Sequence, residues 1–299
     1  MPRLTLPSDA SPTRLDKLLC EQLPGCSRRL AKELIAAGHV RIDGRRTRKG
    51  QEILPGAIVD VDSEYDEHAQ LQPNEKLSVA ILYEDADVVA VDKPAGMPTH
   101  AVRASETETV ANFLLARYPE VAELGGALEP GLVHRLDNDT SGVLLAARTT
   151  AAHADLRRQF AAHLVVKKYL ALVRGEVARA ATIDAPIEHV RGKGRRMRMA
   201  APGNGREAVT HILPLRRFTS HTLLEIEMRT GVRHQVRVHL AAIGHPIEGD
   251  SVYDRPTEEA IGRHLLHASS IEFVHPQSGE KVIVRSELPE DFRARLASL

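Results

Sequence analysis

From Leu77 to Glu287 the chain returns repeatedly to short apolar runs: VAILY, DVVAVDKP, GVLLAAR, KKYLALVRG, EAVTHILPL, HTLLEIEMR, IEFVHP and KVIVRSE. Runs of this length, bounded by glycine, proline, aspartate and serine, read as strands. Three longer stretches among them, TVANFLLARY, AAHADLRRQFAAHL and VRHQVRVHLAAIG, have helix length and helix-like apolar spacing. Strands joined by turns, with helices in between, predict an α+β domain on a mixed, largely antiparallel sheet flanked by helices.

A smaller module precedes it. Over residues 13–61, Leu15, Leu18 and Leu19 fit a short amphipathic helix; Leu30, Leu34 and Ile35 fit a second, with Ser27 as N-cap and Gly38 as stop. HVRIDG and EILPGAIVDV then supply two short strands around turns at Asp43-Gly44 and Pro55-Gly56. Residues 62–76, DSEYDEHAQLQPNEK, are acidic, polar and aperiodic, and read as a linker to the domain over 77–299.

Charge narrows the function. Lys+Arg and Asp+Glu each total 40, so the chain cannot coat nucleic acid by bulk charge, and any such contact must come from local patches. Two patches stand out. The first holds Arg28, Arg29, Lys32, Arg41, Arg45, Arg46, Arg48 and Lys49 against Glu33 and Asp43. The second holds Arg191, Lys193, Arg195, Arg196, Arg198 and Arg206 among glycines. Each is either a solvated basic face or a phosphate-contacting surface. The absence of tryptophan, with five Phe and five Tyr, weighs against folds that stack several bases on aromatic platforms. Two cysteines, Cys20 and Cys26, make neither a disulfide framework nor a zinc site. With no signal-peptide core and no membrane-length apolar run, the expectation is a soluble cytoplasmic protein, off the membrane and monomeric.

The segment GLVHRLDNDTSGVLLAART, residues 131–149, interrupts an apolar run with charge. Asp137 stands beside Arg135 and His134 there, which is costly unless the carboxylate is paired or used. It is either a turn-forming aspartate or a functional one. Asp139 raises a two-carboxylate arrangement, but Asn138 to Gly142 is turn chemistry, so Asp139 is expected to be structural. Of the histidines, only His264 and His267 have helical ligand spacing, without cysteine or a suitable carboxylate nearby, so no metal is expected. Phosphate-loop and nucleophile-elbow motifs are both missing. On VRHQVRVHLAAIG, Arg233 and Arg237 lie four apart on one helix face, as a salt-bridged stripe or a grip on carboxylate or phosphate, and Gly244 is the stop. Tyr169 opens the apolar run of KKYLALVRG, either for packing or for a site.

Taken together these motifs carry a resemblance. HRLDNDTSG resembles the signature of the RluA-type pseudouridine synthases, His-Arg-Leu-Asp, two variable residues, then Thr-Ser-Gly, and matches every fixed position. VVAVDKPAGMPTH is similar to that family's Lys-Pro-x-Gly strand and turn. KKYLALVRG, GREAVT, TGVRHQVRVHLAAIGHPIEGDSVYD and LLHASSIEFVHPQSGE follow in the family's order. The module at 13–61 is similar to the S-four-like RNA-binding domain that often precedes this catalytic domain. One departure exists: Val232 follows Gly231 where many members have arginine, with Arg233 next, while His234-Gln235-Val236-Arg237 keeps the His-Gln-x-Arg pattern.

The resemblance implies isomerisation of uridine to pseudouridine in structured RNA without a cofactor. Large-subunit ribosomal RNA is the favoured substrate and transfer RNA the runner-up. It implies that Asp137 is the catalytic carboxylate, that Arg237 pairs with it, and that Tyr169 packs on the target uracil. Arg135 would support the extruded nucleotide. The basic patches, through Arg28, Arg29, Lys32, Arg45, Arg46, Arg48, Arg195, Arg196 and Arg198, would contact phosphates. Two other classes remain: an RNA-binding ribosome-assembly factor without chemistry, and an N-glycosyl hydrolase releasing free uracil.

Overall fold

A computed structural model describes residues 3–23, 26, 28–48, 50–62, 71–190, 196–201, 203–254 and 261–299. The expected N-cap Ser27, most of the expected linker, and Arg195 lie outside these residues. The chain divides into two units, Met1–Gln72 with Ala101–Thr107, and Pro73–His100 with Glu108–Leu299.

The first unit runs β1 (Arg3–Thr5), β2 (Thr13–Arg14), α1 (Leu15–Gln22), α2 (Arg28–Ala37), β3 (Val40–Ile42), β4 (Arg45–Arg46), β5 (Glu52–Ile53) and β6 (Ile58–Val61). Leu15, Leu18 and Leu19 of α1 and Leu34 and Ile35 of α2 share one core with Val40, Val59 and Val61. The strands pair in the order β1-β6-β3-β4, with β2 and β5 as a separate pair. The Asp43-Gly44 turn joins β3 to β4 with both residues at positive φ, 47° and 77°, the two-residue geometry that suits the twist of a hairpin. HVRIDG through DV thus yields four short strands where two were expected. β1 lies ahead of residue 13 and completes the sheet.

The second unit runs β7 (Ala80–Glu84), β8 (Val88–Lys93), α3 (Val110–Arg117), β9 (Ser141–Ala147), α4 (Thr150–Ala161), β10 (Val166–Arg174), β11 (Ala181–Asp184), β12 (Ile187–His189), β13 (Met197–Met199), β14 (Val209–Arg217), β15 (His221–Met228), α5 (Gln235–Ala242), β16 (Leu266–Val274), β17 (Lys281–Arg285) and α6 (Glu290–Ala297). Its main sheet has the order β11-β14-β15-β10-β16-β9-β8-β7, with β17 also on β16. The β16–β9 pairing is parallel and the others are antiparallel, so the sheet is mixed as expected. β9 is buried at every residue, which its unbroken SGVLLAA run requires of a strand covered on both faces. Val143, Leu145 and Ala147 of β9 pack with Ala152 and Leu156 of α4, and Leu172 of β10 packs with Phe292 of α6. Where β9 meets β16, a side chain at Gly142 (φ 109°) would collide with the Ala268 carbonyl, so glycine is required. No helix among the described residues is long and apolar enough to cross a membrane.

The sequence places Arg233 and Arg237 on one helix. Instead α5 begins at Gln235, because His234 takes up φ 56°, outside helical space. Arg233 therefore precedes the helix, and its shared face with Arg237 does not exist. His264 and His267 share no helix either: His264 precedes β16 and bonds the Thr140 hydroxyl, and His267 lies within it and bonds the hydroxyl of Ser141, the first residue of β9.

Candidate active site

The loop into β9 is fastened residue by residue. His134 Nε2 accepts the Leu145 backbone N–H at 2.9 Å, and its ring stacks on Phe160 at 4.8 Å. Burial pushes this imidazole down to about 3, so it is neutral and serves as an acceptor. Leu136 is bound through both backbone groups to the Thr99 hydroxyl, at 2.8 and 3.1 Å. Thr140 and Ser141 bond His264 and His267 at 2.8 and 3.0 Å.

Lys93, at the end of β8, is fully buried and donates to the carbonyls of Pro94, Met97 and Asn138 at 2.8, 2.6 and 2.7 Å. It thereby holds the residue after Asp137. Burial pushes its ammonium down to about 7 against the pull of Asp139 and Asp137. Three carbonyls match the three N–H groups of an ammonium, whereas a neutral amine has only two, so this geometry favours the charged form.

Asp137 Oδ2 accepts from Arg237 Nη1 at 2.9 Å, and the carboxylate side chain is 19% exposed. Its Oδ1 accepts no hydrogen bond among the described residues. The other edge of the same guanidinium is held by Asp250, through Nε at 2.7 Å and Nη2 at 2.8 Å. One buried cation thus stands between two carboxylates, with the Asp250 side chain wholly inaccessible. Burial pushes the Asp137 carboxyl up, but His234 and Arg237 pull it down by more, leaving it below the usual carboxylate value. Burial also holds His234 itself neutral, at about 4, so at neutral pH the Arg237 guanidinium is the charge that keeps Asp137 ionised. Burial raises the Tyr169 phenol, with the Asp137 charge adding to it, so Tyr169 stays protonated.

Asp137, Tyr169, His234 and Arg237 line one cavity of about 740 Å³, with Asp250 behind its wall. Asp137 is its sole carboxylate among the described residues. Arg135, Arg157, Lys167, Arg206, Arg229, Arg233 and Arg237 all contribute to its wall, as does Tyr169 from β10. Lys167 is buried and donates to the Arg229 and Thr230 carbonyls at 3.1 and 2.8 Å, fixing the turn that leads to His234. Burial pushes it down to about 8.

The structure therefore brings Asp137, Tyr169, Arg237 and Arg135 to one cavity, Arg135 being exposed there. Arg28, Lys32, Arg45, Arg46 and Arg48 are exposed on the first unit, without ion pairs to described carboxylates. Of Arg29 only its place in α2 is described. In the second patch Arg196 is exposed, while Arg198 is already bound by Glu188 at 2.8 Å. Sequence reasoning missed Lys93, Asp250 and Lys167. The Lys-Pro and Gly-Asp pairs in VVAVDKPAGMPTH and GHPIEGDSVYD contain two of them, but nothing local tells which partner they meet. Away from the cavity, Asp85, Asp87 and His275 lie close enough together for a metal ion. Their atoms are engaged instead: Asp85 accepts from Tyr83 and from the Asp87 and Val88 amides and bonds His275 at 2.8 Å, and Asp87 accepts from Thr149. That set closes the β7–β8 turn.

An ionised carboxylate in a cation-walled cavity, on a chain that also carries a cluster of exposed arginines and lysines on a second unit, is the arrangement of an enzyme that works on a polyanion. A family described as RNA pseudouridylate synthase matches residues 87–242, and one described as S4 domain matches residues 13–59. The ribosomal large subunit pseudouridine synthase D of Nitrosomonas europaea is 37% identical over 304 residues, spanning 99% of this chain and 87% of its own length. An uncharacterized RNA pseudouridine synthase of Chloroflexus aurantiacus is 40% identical over 297 residues, spanning 99% and 93%. The solved structure of human RNA pseudouridylate synthase domain containing 1 has a TM-score of 0.58 and 26% identity, covering 73% of this chain and 86% of that one. The chain belongs to the RNA pseudouridylate synthase family and carries an S4 domain ahead of the synthase domain.

Proposed function

We propose that this enzyme converts specific uridines of large-subunit ribosomal RNA to pseudouridine in the cytoplasm, as a monomer and without a cofactor, with Asp137 as the catalytic carboxylate. The observation that carries the reading is the 2.9 Å pairing of Asp137 with Arg237 inside a cavity whose other charges, among the described residues, are all cationic. Two relatives named ribosomal large subunit pseudouridine synthase D, each 37% identical over nearly the whole chain, support the substrate class.

The reaction breaks the bond from ribose C1′ to uracil N1 and forms one from C1′ to C5. C5 loses a proton and N1 gains one, so composition is unchanged. The uridine must first leave its stack, at a cost the phosphate contacts offset. Arg135 at the cavity wall occupies the vacated space or holds the strand. Asp137, kept ionised by Arg237, attacks C1′ or removes a proton that leads to a glycal. Tyr169 packs against the uracil while it turns, and the C5 proton passes to solvent once the bond from C1′ to C5 has formed. The exposed arginines of the first unit and Arg196 supply phosphate contacts.

The test is a map of pseudouridines in total RNA from wild-type, deletion and Asp137→Asn-complemented cells, read by chemical derivatisation because the isomer has unchanged mass. Sites lost in both mutant strains, within large-subunit RNA, establish the reading. Identical maps in all three overturn it in favour of an RNA-binding factor, and release of free uracil by the purified protein would make it a hydrolase.

A further inference from the structure

Two residues beside the Asp137–Arg237 pair have no part in the steps above: His234 and Tyr253. His234 sits at φ 56°, a left-handed conformation that is costly for a non-glycine residue and persists only where surroundings enforce it. That backbone sends its ring into the cavity wall. Nε2 lies 3.9 Å from Asp137 Oδ2 and 3.4 Å from Arg233 Nε. Nδ1 lies 2.8 Å from the Tyr253 hydroxyl. The hydroxyl either donates to a bare Nδ1 or accepts from Nδ1–H, and in both cases it fixes the plane of the imidazole.

Tyr253 touches more than His234. Its hydroxyl accepts the backbone N–H of Met197 in β13 at 2.9 Å. Its ring meets the His234 ring edge-on, 5.6 Å between centroids at 84°. The Arg237 guanidinium carbon lies 5.2 Å from the Tyr253 ring centroid and that of Arg196 lies 5.8 Å away. Asp250, which grips Arg237, also accepts the backbone N–H groups of Val252 and Tyr253, at 3.0 and 3.2 Å. Below them Val232, Val238, Ile187, Met197 and Ala208 form a small core packed with Tyr253. Tyr253 therefore joins three things: the β12–β13 hairpin with its exposed Arg196, the imidazole facing Asp137, and the cation that ionises Asp137.

We propose that Tyr253 is a positioning residue, which through His234 and Arg237 sets the orientation of the Asp137 carboxylate and through the Met197 amide ties that orientation to the β12–β13 hairpin. This rests on the proposed function, because it assigns Tyr253 to the same reaction. RNA engaging the hairpin then acts on the carboxylate through two hydrogen bonds and one ring contact. Misplacement of a reacting group by about 1 Å is enough to slow a step ~100-fold, so loss of one hydroxyl in this chain is expected to cost between ~10-fold and ~100-fold.

The experiment uses the full chain and a transcript of the large-subunit RNA, under single turnover with enzyme in excess. Tyr253→Phe removes the hydroxyl and keeps the ring. The expected result is a saturating rate lowered at least ~10-fold with half-saturation by RNA within about twofold of wild type. His234→Gln is expected to fall similarly, and the double variant to be no slower than the slower single one, since both cut one chain of contacts. A Tyr253→Phe rate equal to wild type overturns the proposal, as does a loss confined to half-saturation or a double variant whose defects multiply. Should Tyr253→Phe lower the thermal midpoint too far to assay, His234→Gln with wild-type saturating rate overturns it on its own. Inactive wild-type protein would instead sink the proposed function, whereas an active wild type, a dead Asp137→Asn and an unimpaired Tyr253→Phe would sink this inference alone.

Discussion

The cations of the first unit and those of the cavity are the same residue types under opposite constraints. Arg28, Lys32, Arg45, Arg46 and Arg48 are exposed, and their usefulness to RNA depends on being unattached. Arg237, Lys93 and Lys167 are buried, and each is committed to named acceptors: two carboxylates, three carbonyls and two carbonyls respectively. Surface charge attracts a polyanion through long-range, salt-screened forces. Buried charge sets geometry, because an unpaired ion in a dry site is too costly to tolerate. Position, more than number, decides what an arginine does here.

If that contrast holds, Arg237→Ala should have the largest effect of all. It leaves Asp137 and Asp250 without their shared cation, a loss of about 3–5 kcal/mol for breaking a buried pair, and it removes the charge that keeps Asp137 ionised. Turnover should vanish and the thermal midpoint should fall by ~10 °C. Full activity with an unchanged midpoint would mean the pair is ornamental. Lys93→Met should come next. It removes the shared donor of the Pro94, Met97 and Asn138 carbonyls, at up to about 1–3 kcal/mol for a group left unsatisfied, and it frees the Asn138 end of the loop, so turnover should drop even in preparations that fold. Retained stability in a denaturant titration would show that the carbonyls find water.

The same contrast has a pH signature. The Asp137 and Asp250 carboxyls are both held below the ordinary 3.8 in the folded state, in each case against burial, which pushes the other way. Groups of this kind contribute stability that is complete above the unfolded value and is lost as pH falls through the folded one. Wild-type unfolding free energy should therefore decline as pH drops below about 4. Arg237→Ala should show a flatter dependence, since protonation then relieves two stranded charges. Equal acid slopes in the two proteins would contradict the assignment.

How much of this was legible beforehand follows from distance along the chain. The strands of the second unit and the HRLDNDTSG turn are written in contiguous residues, so apolar runs and motif spacing reveal them. Asp137 and Tyr169 belong to such runs. The partners do not. Arg237 meets Asp137 across 100 residues, and Lys93 reaches Asn138 across 45, so no local spacing points from one to the other. Asp250 is 13 residues from Arg237, beyond the reach of helical periodicity. The start of α5 was misplaced because helical spacing runs smoothly through His234, while the left-handed backbone there, φ 56°, leaves no mark on that spacing. β1 was missed because three residues carry no pattern until β6, more than fifty residues on, pairs with them.

The smallest effect on the chemistry should come from the exposed side of the comparison, and it is the one that salt can isolate. Arg28→Glu with Arg45→Glu changes two exposed side chains that touch no described carboxylate, so the thermal midpoint should stay within a degree or two of wild type. RNA affinity should fall, and the slope of log affinity against log salt should lose about 0.7–0.9 for each phosphate contact removed. Arg237→Ala offers the opposite pattern, a large loss of stability and turnover with little change in salt slope. If charge reversal on the first unit left the slope intact, those arginines would be an ordinary solvated face, and the affinity for RNA would have to reside in the cavity wall and the hairpin.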